Sequence, residues 1–226
     1  MKYKMKAVNA IVKIGGSVIA NPKALKTICR EIAGLARKGH KIVILPGGGA
    51  LADAVRSLSM EYRTTDSLAH WMAIAAMDIN GMLIAGLNKS FVSVTGAKDC
   101  MKALNDKRVP VFLAHRLLKR GNPLPQSWSV TSDSIALYLS HALKAEHNIL
   151  VKSVRGIYSG PGRKKFISKI RAPELIKKKY GDCVDECLPE LSVKYGRDTH
   201  IVAASCRGGI EGILSKRKSA GTVIVP

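Results

Sequence analysis

Lys13 is the one charged residue in the apolar run Ile11-Val12-Lys13-Ile14, which ends in Gly15-Gly16-Ser17 before the chain turns apolar again at Val18-Ile19. Successive peptide N–H groups with no Cβ above them can close on an anionic oxygen and form a nest for phosphate. Lys13 sets a full positive charge beside that bend. A second glycine run, Gly47-Gly48-Gly49, opens a segment in which Leu51, Ala54, Val55 and Leu58 recur at helical spacing on one face. Glycines at a helix N-terminus offer free N–H groups and the positive end of the helix dipole to an anion. Arg56, on the first turns of that helix, adds a guanidinium fork that matches phosphate oxygens in pairs. A third group, Trp128-Ser129-Val130-Thr131-Ser132-Asp133-Ser134, rings one carboxylate with small hydroxyls at a helix start. Asp133 there is a good first-turn residue in its own right, and the same setting suits a phosphoryl-transfer centre. Two anion cradles facing one another point to an anionic donor and an anionic acceptor.

The elements that must position these groups follow from periodicity. Ala10–Ile14 reads as a buried strand, and Asn21-Pro22 reads as an N-cap followed by proline at the first helical position. Leu25, Ile28, Cys29, Ile32, Leu35 and Ala36 then recur at helical spacing until Gly39, and residues 41–45 form the next strand. Strand, helix and strand within about 35 residues make a βαβ unit, whose two strands are parallel neighbours with a right-handed crossover. Both glycine loops therefore leave the carboxyl ends of adjacent parallel strands, where open α/β sheets bind ligands.

Further along, residues 66–87 predict a long helix on which Asp66 and His70, four apart, share a face. His70 is a candidate for gripping the acceptor and equally a hydrogen-bonded core histidine. Strands are expected over Phe91–Val94 and residues 109–113, with a basic, proline-containing loop over 116–126. Thr131 or Ser132 caps a helix with Ile135, Leu139, Ala142 and Leu143 on one side, and residues 148–152 form a strand ending in Lys152. Its exit, residues 153–162, is a loop carrying Arg155, Gly156 and Tyr158. A basic helix over 173–180, a helix over 185–195, a strand over Thr199–Ala203, a short helix and a last strand over Thr222–Val225 complete the chain.

Composition narrows the function classes. At 226 residues, 46% hydrophobic and 23% charged, the chain is globular, one large domain or two small ones. It has no unbroken apolar run of eighteen, so no membrane span is expected. Lys13 interrupts the first apolar stretch after the basic start, so no signal peptide is expected either. Five scattered cysteines suit a reduced, cytoplasmic setting; Cys183 and Cys187, four apart in an expected helix, read as structural thiols with no partners for a zinc site. No metal-ligating set is assigned. The 37 basic against 16 acidic residues give a net charge of +21, which draws polyanions. Its basic runs, at 163–165, 177–179 and 216–218, are short, and only three Phe and two Trp are available for stacking. The charge is therefore expected to steer anionic substrates, with no dedicated nucleic-acid partner. The P-loop pattern and a Gly-x-Gly-x-x-Gly after a strand are both absent.

Taken in order, Lys13-Ile14-Gly15-Gly16-Ser17, Gly47-Gly48-Gly49, Thr131-Ser132-Asp133-Ser134, Gly156-Ile157-Tyr158 and Gly221-Thr222-Val223-Ile224 resemble the amino acid kinase family across nearly the whole chain. The resemblance implies an α/β fold, a three-layer αβα sandwich around a mainly parallel sheet of about eight strands. It implies one domain over 1–226, with an acceptor-binding half of about 1–125 and a nucleotide-binding half of about 126–226. It also implies an ATP-dependent small-molecule kinase using Mg²⁺ and assembling as a homodimer or higher homo-oligomer.

Carried over by position, Lys13, Asp133 and Lys152 are the catalytic set, with Asp133 orienting Lys13. Gly15, Gly16, Ser17, Arg155, Gly156 and Tyr158 border the nucleotide, and Gly47, Gly48, Gly49, Arg56, His70 and Thr131 hold the acceptor. Ala69-His70-Trp71-Met72-Ala73-Ile74-Ala75-Ala76-Met77-Asp78 and Trp128 through Ala136 resemble a short archaeal branch related to aspartokinase. The activity characterised there converts aminomethyl-furanmethyl phosphate to its diphosphate during methanofuran synthesis. Isopentenyl phosphate, UMP and aspartate kinases, and an oxyanion-storage relative, are the alternatives. Two positions depart from the family. Val154-Arg155-Gly156 stands where Val-Asp-Gly is usual. Cys183-Val184-Asp185-Glu186 lies where several relatives carry a second catalytic lysine, which leaves Lys152 as the substitute.

Overall fold

A computed structural model describes residues 8–159, 165–178, 183–216 and 221–226. Strand β1 (Ala10–Ile14) is followed by a single helical turn, α1 (Gly16–Ile19), and by α2 (Pro22–Arg37). Helix α2 begins where expected, with the Asn21 side chain accepting from the Ala24 N–H and Pro22 at the first position. Then come β2 (Ile42–Pro46), α3 (Gly49–Glu61), α4 (Asp66–Gly86), β3 (Phe91–Val94), α5 (Ala97–Asn105), β4 (Val109–Phe112) and α6 (Ala114–Arg120). The second half contains α7 (Ser132–Ala142), β5 (His147–Lys152), β6 (Ile157–Ser159), β7 (Lys165–Ile167), β8 (Lys169–Arg171) and α8 (Ala172–Lys178). It closes with α9 (Leu188–Tyr195), β9 (Thr199–Ala203), α10 (Gly209–Leu214) and β10 (Thr222–Val225).

The main sheet runs β3-β4-β2-β1-β5-β9-β10-β8. All pairings are parallel except β9 with β10. Strand β1 is buried along its length because β2 and β5 flank it and helices cover both faces, so it reads as an apolar run broken only by Lys13. Alternate residues feed two cores: Ile11, Val43 and Leu150 face one, and Val12, Ile42 and Ile149 face the other. Ile74, Leu118, Ile135 and Leu191 close the first, while Leu25, Ile28, Ile32 and Ile210 close the second. This is the αβα sandwich. Strands β6 and β7 form a separate antiparallel hairpin.

Several expectations change. The segment 116–126 is not all loop: α6 occupies residues up to Arg120, with Leu118 buried, and the prolines follow it. Helix α3 packs on α4 and α1 instead of on the sheet, so Leu51 and Leu58 are 38% and 43% exposed and only Val55 is buried. Asp66 is exposed while His70 is buried, so the two do not share an environment. Helix α9 starts at Leu188, later than expected, with Cys187 preceding it. Helix α4 has the length and composition of a membrane span, at a mean hydropathy of 1.4, yet Ile74, Met77 and Ile84 lie in the cores. The basic start at 1–6, the loop residues 160–162 and parts of the basic runs at 163–164, 179–180 and 217–218 lie outside the described residues.

Candidate active site

Strands β1 and β5 are parallel neighbours, and each carries a lysine near its carboxyl end. Between them stands Asp133 in the first turn of α7. Lys13 Nζ donates to Asp133 Oδ1 at 2.8 Å, and Lys152 Nζ donates to Oδ2 at 2.6 Å. Lys13 and Asp133 are 5% and 3% exposed, so neither charge is hydrated and each depends on the other. Burial alone would raise the Asp133 carboxyl, but the two ammonium groups outweigh it and hold it at about 2. Burial lowers Lys13 from its ordinary range; the Asp133 charge opposes that, while Lys152 adds to it. One carboxylate thus aims two lysines, so that both ammonium groups are held ready for an incoming anion.

Asp133 is held in place by a residue with no motif. Asp185 accepts from the Thr131 N–H and hydroxyl, each at 2.8 Å, and from the Ser134 N–H at 3.0 Å and hydroxyl at 2.5 Å. It also accepts from the Leu188 N–H at 3.0 Å, joining the starts of α7 and α9. Thr131 Oγ1 in turn accepts the Asp133 N–H at 3.4 Å. The only sequence trace of Asp185 is its place three residues before Leu188, a local capping position.

The two glycine loops touch through their main chains. The Gly15 N–H donates to Val151 O and the Gly47 N–H to Ile14 O, both at 2.8 Å, so these two amides are committed to the turns and are not open to an anion. A Cβ on Gly16 would run into the Gly49 main chain, and one on Gly47 would lie 2.8 Å from Gly16 N. Gly49 has φ +52. Close backbone approach is thus one physical reason for the glycines, beside any contact with phosphate. Asn80 on α4, buried, donates through Nδ2 to the carbonyls of Gly47 and Gly48, both at 2.8 Å. That turns the loop's acceptors toward α4 and away from the opening. Ser17 Oγ bonds Ser153 Oγ at 3.1 Å, tying the first loop to the exit of β5.

A cavity of about 190 Å³ opens beside these loops, between α3, α4 and the start of α7. Gly16, Gly48, Gly49, Arg56, His70 and Thr131 are among its lining residues. Of the six residues expected at the acceptor, only Gly47 stays behind the wall. The Arg56 guanidinium lies over the Trp128 ring, 4.1 Å from its centroid. This stacking fixes the charge over the cavity by cation–π attraction.

The residues expected at the nucleotide divide. Arg155, Gly156 and Tyr158 gather at the β6–β7 hairpin, apart from that cavity. Arg155 lies 4.3 Å over the Phe166 ring, and Tyr158 meets the same ring edge-on at 5.4 Å. Gly156 leaves room for Thr222, whose Oγ1 accepts from the Ile157 N–H at 2.9 Å and donates to Ile167 O at 2.5 Å. Among the described residues no group of His, Cys, Asp and Glu is arranged to hold a metal ion.

A model of the amino acid kinase family matches residues 10–186. The chain belongs to that family. It is 31% identical over 221 residues to the [5-(aminomethyl)furan-3-yl]methyl phosphate kinase of Methanocaldococcus jannaschii, covering 95% of this chain and 97% of that protein. It is 26% identical to the uridylate kinase of Pyrococcus abyssi over 93% of this chain and 91% of the other. The structure of the uridylate kinase from Archaeoglobus fulgidus superposes with a TM-score of 0.74 at 19% identity, covering 96% of this chain and all of that one, which bears out the fold. As a member of the amino acid kinase family the chain is an ATP-dependent phosphotransferase.

Proposed function

We propose that this kinase transfers the γ-phosphoryl group of ATP to a phosphate monoester, giving a diphosphate, and that the monoester is [5-(aminomethyl)furan-3-yl]methyl phosphate. The observation that carries the reading is the cavity wall. Gly48, Gly49 and the Trp128-stacked Arg56 gather donors for a dianionic phosphate, with Thr131 and Ser132 on the side that leads into α7 and Asp133. The cavity, about 190 Å³, lies below the roughly 300–1,000 Å³ usual for drug-sized ligands, which favours a compact acceptor over a nucleoside monophosphate. The relative from Methanocaldococcus jannaschii, matched over almost its whole length, supports the same substrate.

In this reading Lys13 and Lys152 stabilise charge on the transferring group, and Asp133 keeps both ammonium groups aimed before substrate arrives. Phosphoryl transfer needs chiefly such positioning and charge stabilisation. Both Asp133 oxygens are taken by lysines, so Mg²⁺ is expected to be held by the ATP oxygens instead of a protein cage; it would neutralise phosphate charge there. Gly16 and Ser17 would meet the ATP phosphates, and Arg155, Gly156 and Tyr158 would border the nucleotide from the hairpin. The acceptor-binding half is then about 1–125 and the nucleotide-binding half about 126–226, with the second half lending Ser127, Trp128, Val130, Thr131 and Ser132 to the acceptor wall.

We also infer a homo-oligomer in the cytoplasm. Leu68, Ile79, Met82 and Leu83 are each at least half exposed on α4, an apolar surface suited to a second copy. The free cysteines among the described residues fit a reducing compartment. The deciding experiment is turnover with Mg-ATP of the furan-methyl phosphate, isopentenyl phosphate, UMP, aspartate and acetylglutamate. The furan-methyl phosphate is expected to give the highest kcat/KM; turnover of either amino acid with no monoester used would overturn the reading.

A further inference from the structure

We infer that Trp128 is a positioning residue for the acceptor: it holds the Arg56 guanidinium by its face, so that the N–H edge stays open for the acceptor's phosphate. The inference rests on the monoester reading above and adds how the cationic part of that site is kept in place.

Arg56 gains little support from its own helix. It is exposed on α3, of which only Val55 is buried, and a free arginine side chain loses much rotamer freedom when a ligand fixes it. Among the described residues no carboxylate stands within ion-pair distance of its guanidinium, Asp53 one turn earlier included. What meets the guanidinium is the Trp128 ring, 4.1 Å away at its centroid.

The manner of holding matters. A carboxylate in the place of Trp128 would occupy the guanidinium edge and offset its charge. An aromatic ring attracts the cation through its face, while the N–H donors of the guanidinium lie in its plane. Stacked on Trp128, Arg56 keeps both its charge and its fork for a phosphate, whose oxygens that fork matches in pairs. At Asp133 two lysines are aimed through their N–H groups; at Trp128 an arginine is aimed through its flat face.

Trp128 can serve in this way because its segment is braced on both sides. Gln126 Oε1 accepts from Ser67 Oγ at 2.5 Å and from Trp71 Nε1 at 3.1 Å, both on α4. The Ser127 carbonyl accepts from the Val130 N–H at 3.2 Å and lies 3.3 Å from His70 Nδ1. The Ser129 carbonyl accepts from the Cys187 N–H at 3.2 Å, just before α9. The half-buried ring is thus carried by a segment fixed to α4 and to the start of α9, and Arg56 reaches it from α3. Both residues line the cavity.

The test reads KM and kcat with Mg-ATP and [5-(aminomethyl)furan-3-yl]methyl phosphate. Trp128→Leu is expected to raise KM for the monoester about 3–10-fold, with kcat and KM for ATP within about twofold of the unmutated enzyme. Trp128→Phe, which keeps a smaller aromatic face, should recover most of the loss. In an Arg56→Ala background Trp128→Leu should add less than about twofold, because its effect runs through the guanidinium. A second measurement leaves Trp128 in place. The chain has two tryptophans, so in Trp71→Phe the Trp128 indole is the only one. Its emission should shift as the monoester saturates the enzyme and the dianion offsets the charge over the ring, and adding Arg56→Ala should abolish that shift. An unchanged KM in folded Trp128→Leu, a rise of the same size in the Arg56→Ala background, or a constant Trp128 emission at saturation would overturn the role of Trp128 and leave the monoester reading standing. Turnover of no monoester would overturn both.

Discussion

Strands β5 and β9 end in two very different clusters of ionisable groups. At their carboxyl side, Lys152 joins Lys13 on Asp133, and every charge is buried against an opposite one. At their amino side, His147 and His200 meet edge-on at 5.5 Å in a cleft with His141 and Tyr195, whose rings stack at 4.3 Å. The cleft, about 800 Å³, is the larger of the two cavities, and the charges on its wall, Glu146 and Asp198 against Arg197 and Lys216, are of mixed sign instead of converging on one group. Burial pushes both histidines down, His200 to about 4, so they stay neutral near pH 7. Cavity size is thus a poor guide. What separates the ends is that loops leaving the carboxyl ends of parallel strands run into helix starts, which supply donors and aligned dipoles. The opposite ends receive helix C-termini, those of α7 and α9, whose carbonyls and negative dipole ends do not attract an anion.

Breaking the first cluster should have the largest effect. Lys13→Ala is expected to lower kcat by ~10²–10³ or more while the protein keeps its far-ultraviolet circular dichroism and a cooperative melt. Unchanged turnover in a folded variant would show that the cluster is structural only. Asp185→Ala comes next: with Thr131 and Ser134 left unpaired, stability should drop by about 2–3 kcal/mol, read by urea titration, and kcat by about tenfold as Asp133 loses its anchor. Asn80→Ala should act more narrowly, raising KM for the acceptor several-fold with little change in KM for ATP, because it releases the Gly47 and Gly48 carbonyls alone.

The smallest effect on turnover belongs to the amino-side cleft. His200→Gln should leave kcat/KM within about twofold and show itself only in the pH dependence of stability. A histidine whose folded pKa is lowered gives its full contribution above its unfolded value near 6.5 and loses it as pH falls toward 4. Asp133, also lowered, contributes fully above about 4 and loses its part as pH falls toward 2. Melting temperatures should therefore fall in two separate acid windows. His200→Gln is expected to shrink the upper one, to which His147 also contributes, by about 3 kcal/mol, without touching the lower. A single window between pH 4 and 2 in both proteins would remove His200 from the account.

Much of the sandwich is legible in the sequence where strands are apolar on both faces. Ala10–Ile14, Thr199–Ala203 and Thr222–Val225 lie where periodicity puts them, since no other element suits such short buried runs. Helix α5 and the three-residue strands β6, β7 and β8 give weaker signals, because mixed or very short segments carry no clear period. In α3 the apolar spacing is real, but with the helix resting on α4 and α1 it predicts burial for residues that stay exposed. The site divides in the same way. Lys13 and Asp133 announce themselves by type and neighbourhood, while Lys152 enters only through the family resemblance, and the pairing of the three depends on strand register and on the start of α7. Asn80 and Asp185 act mainly on groups distant in sequence, and apart from the short step from Asp185 to Leu188 such contacts leave no spacing to find.

Strand β10 lies inside the sheet, between β9 and β8, although it is last in sequence. Thr222 at its start also ties the Ile157 N–H to the Ile167 carbonyl. During synthesis, then, residues 10–152 can assemble their parallel strands as they emerge, while the hairpin and β8 wait for residues 221–226 to arrive. The β10 segment acts as a latch: until it docks, β9 keeps an open edge, the kind of edge on which another unfinished chain can pair.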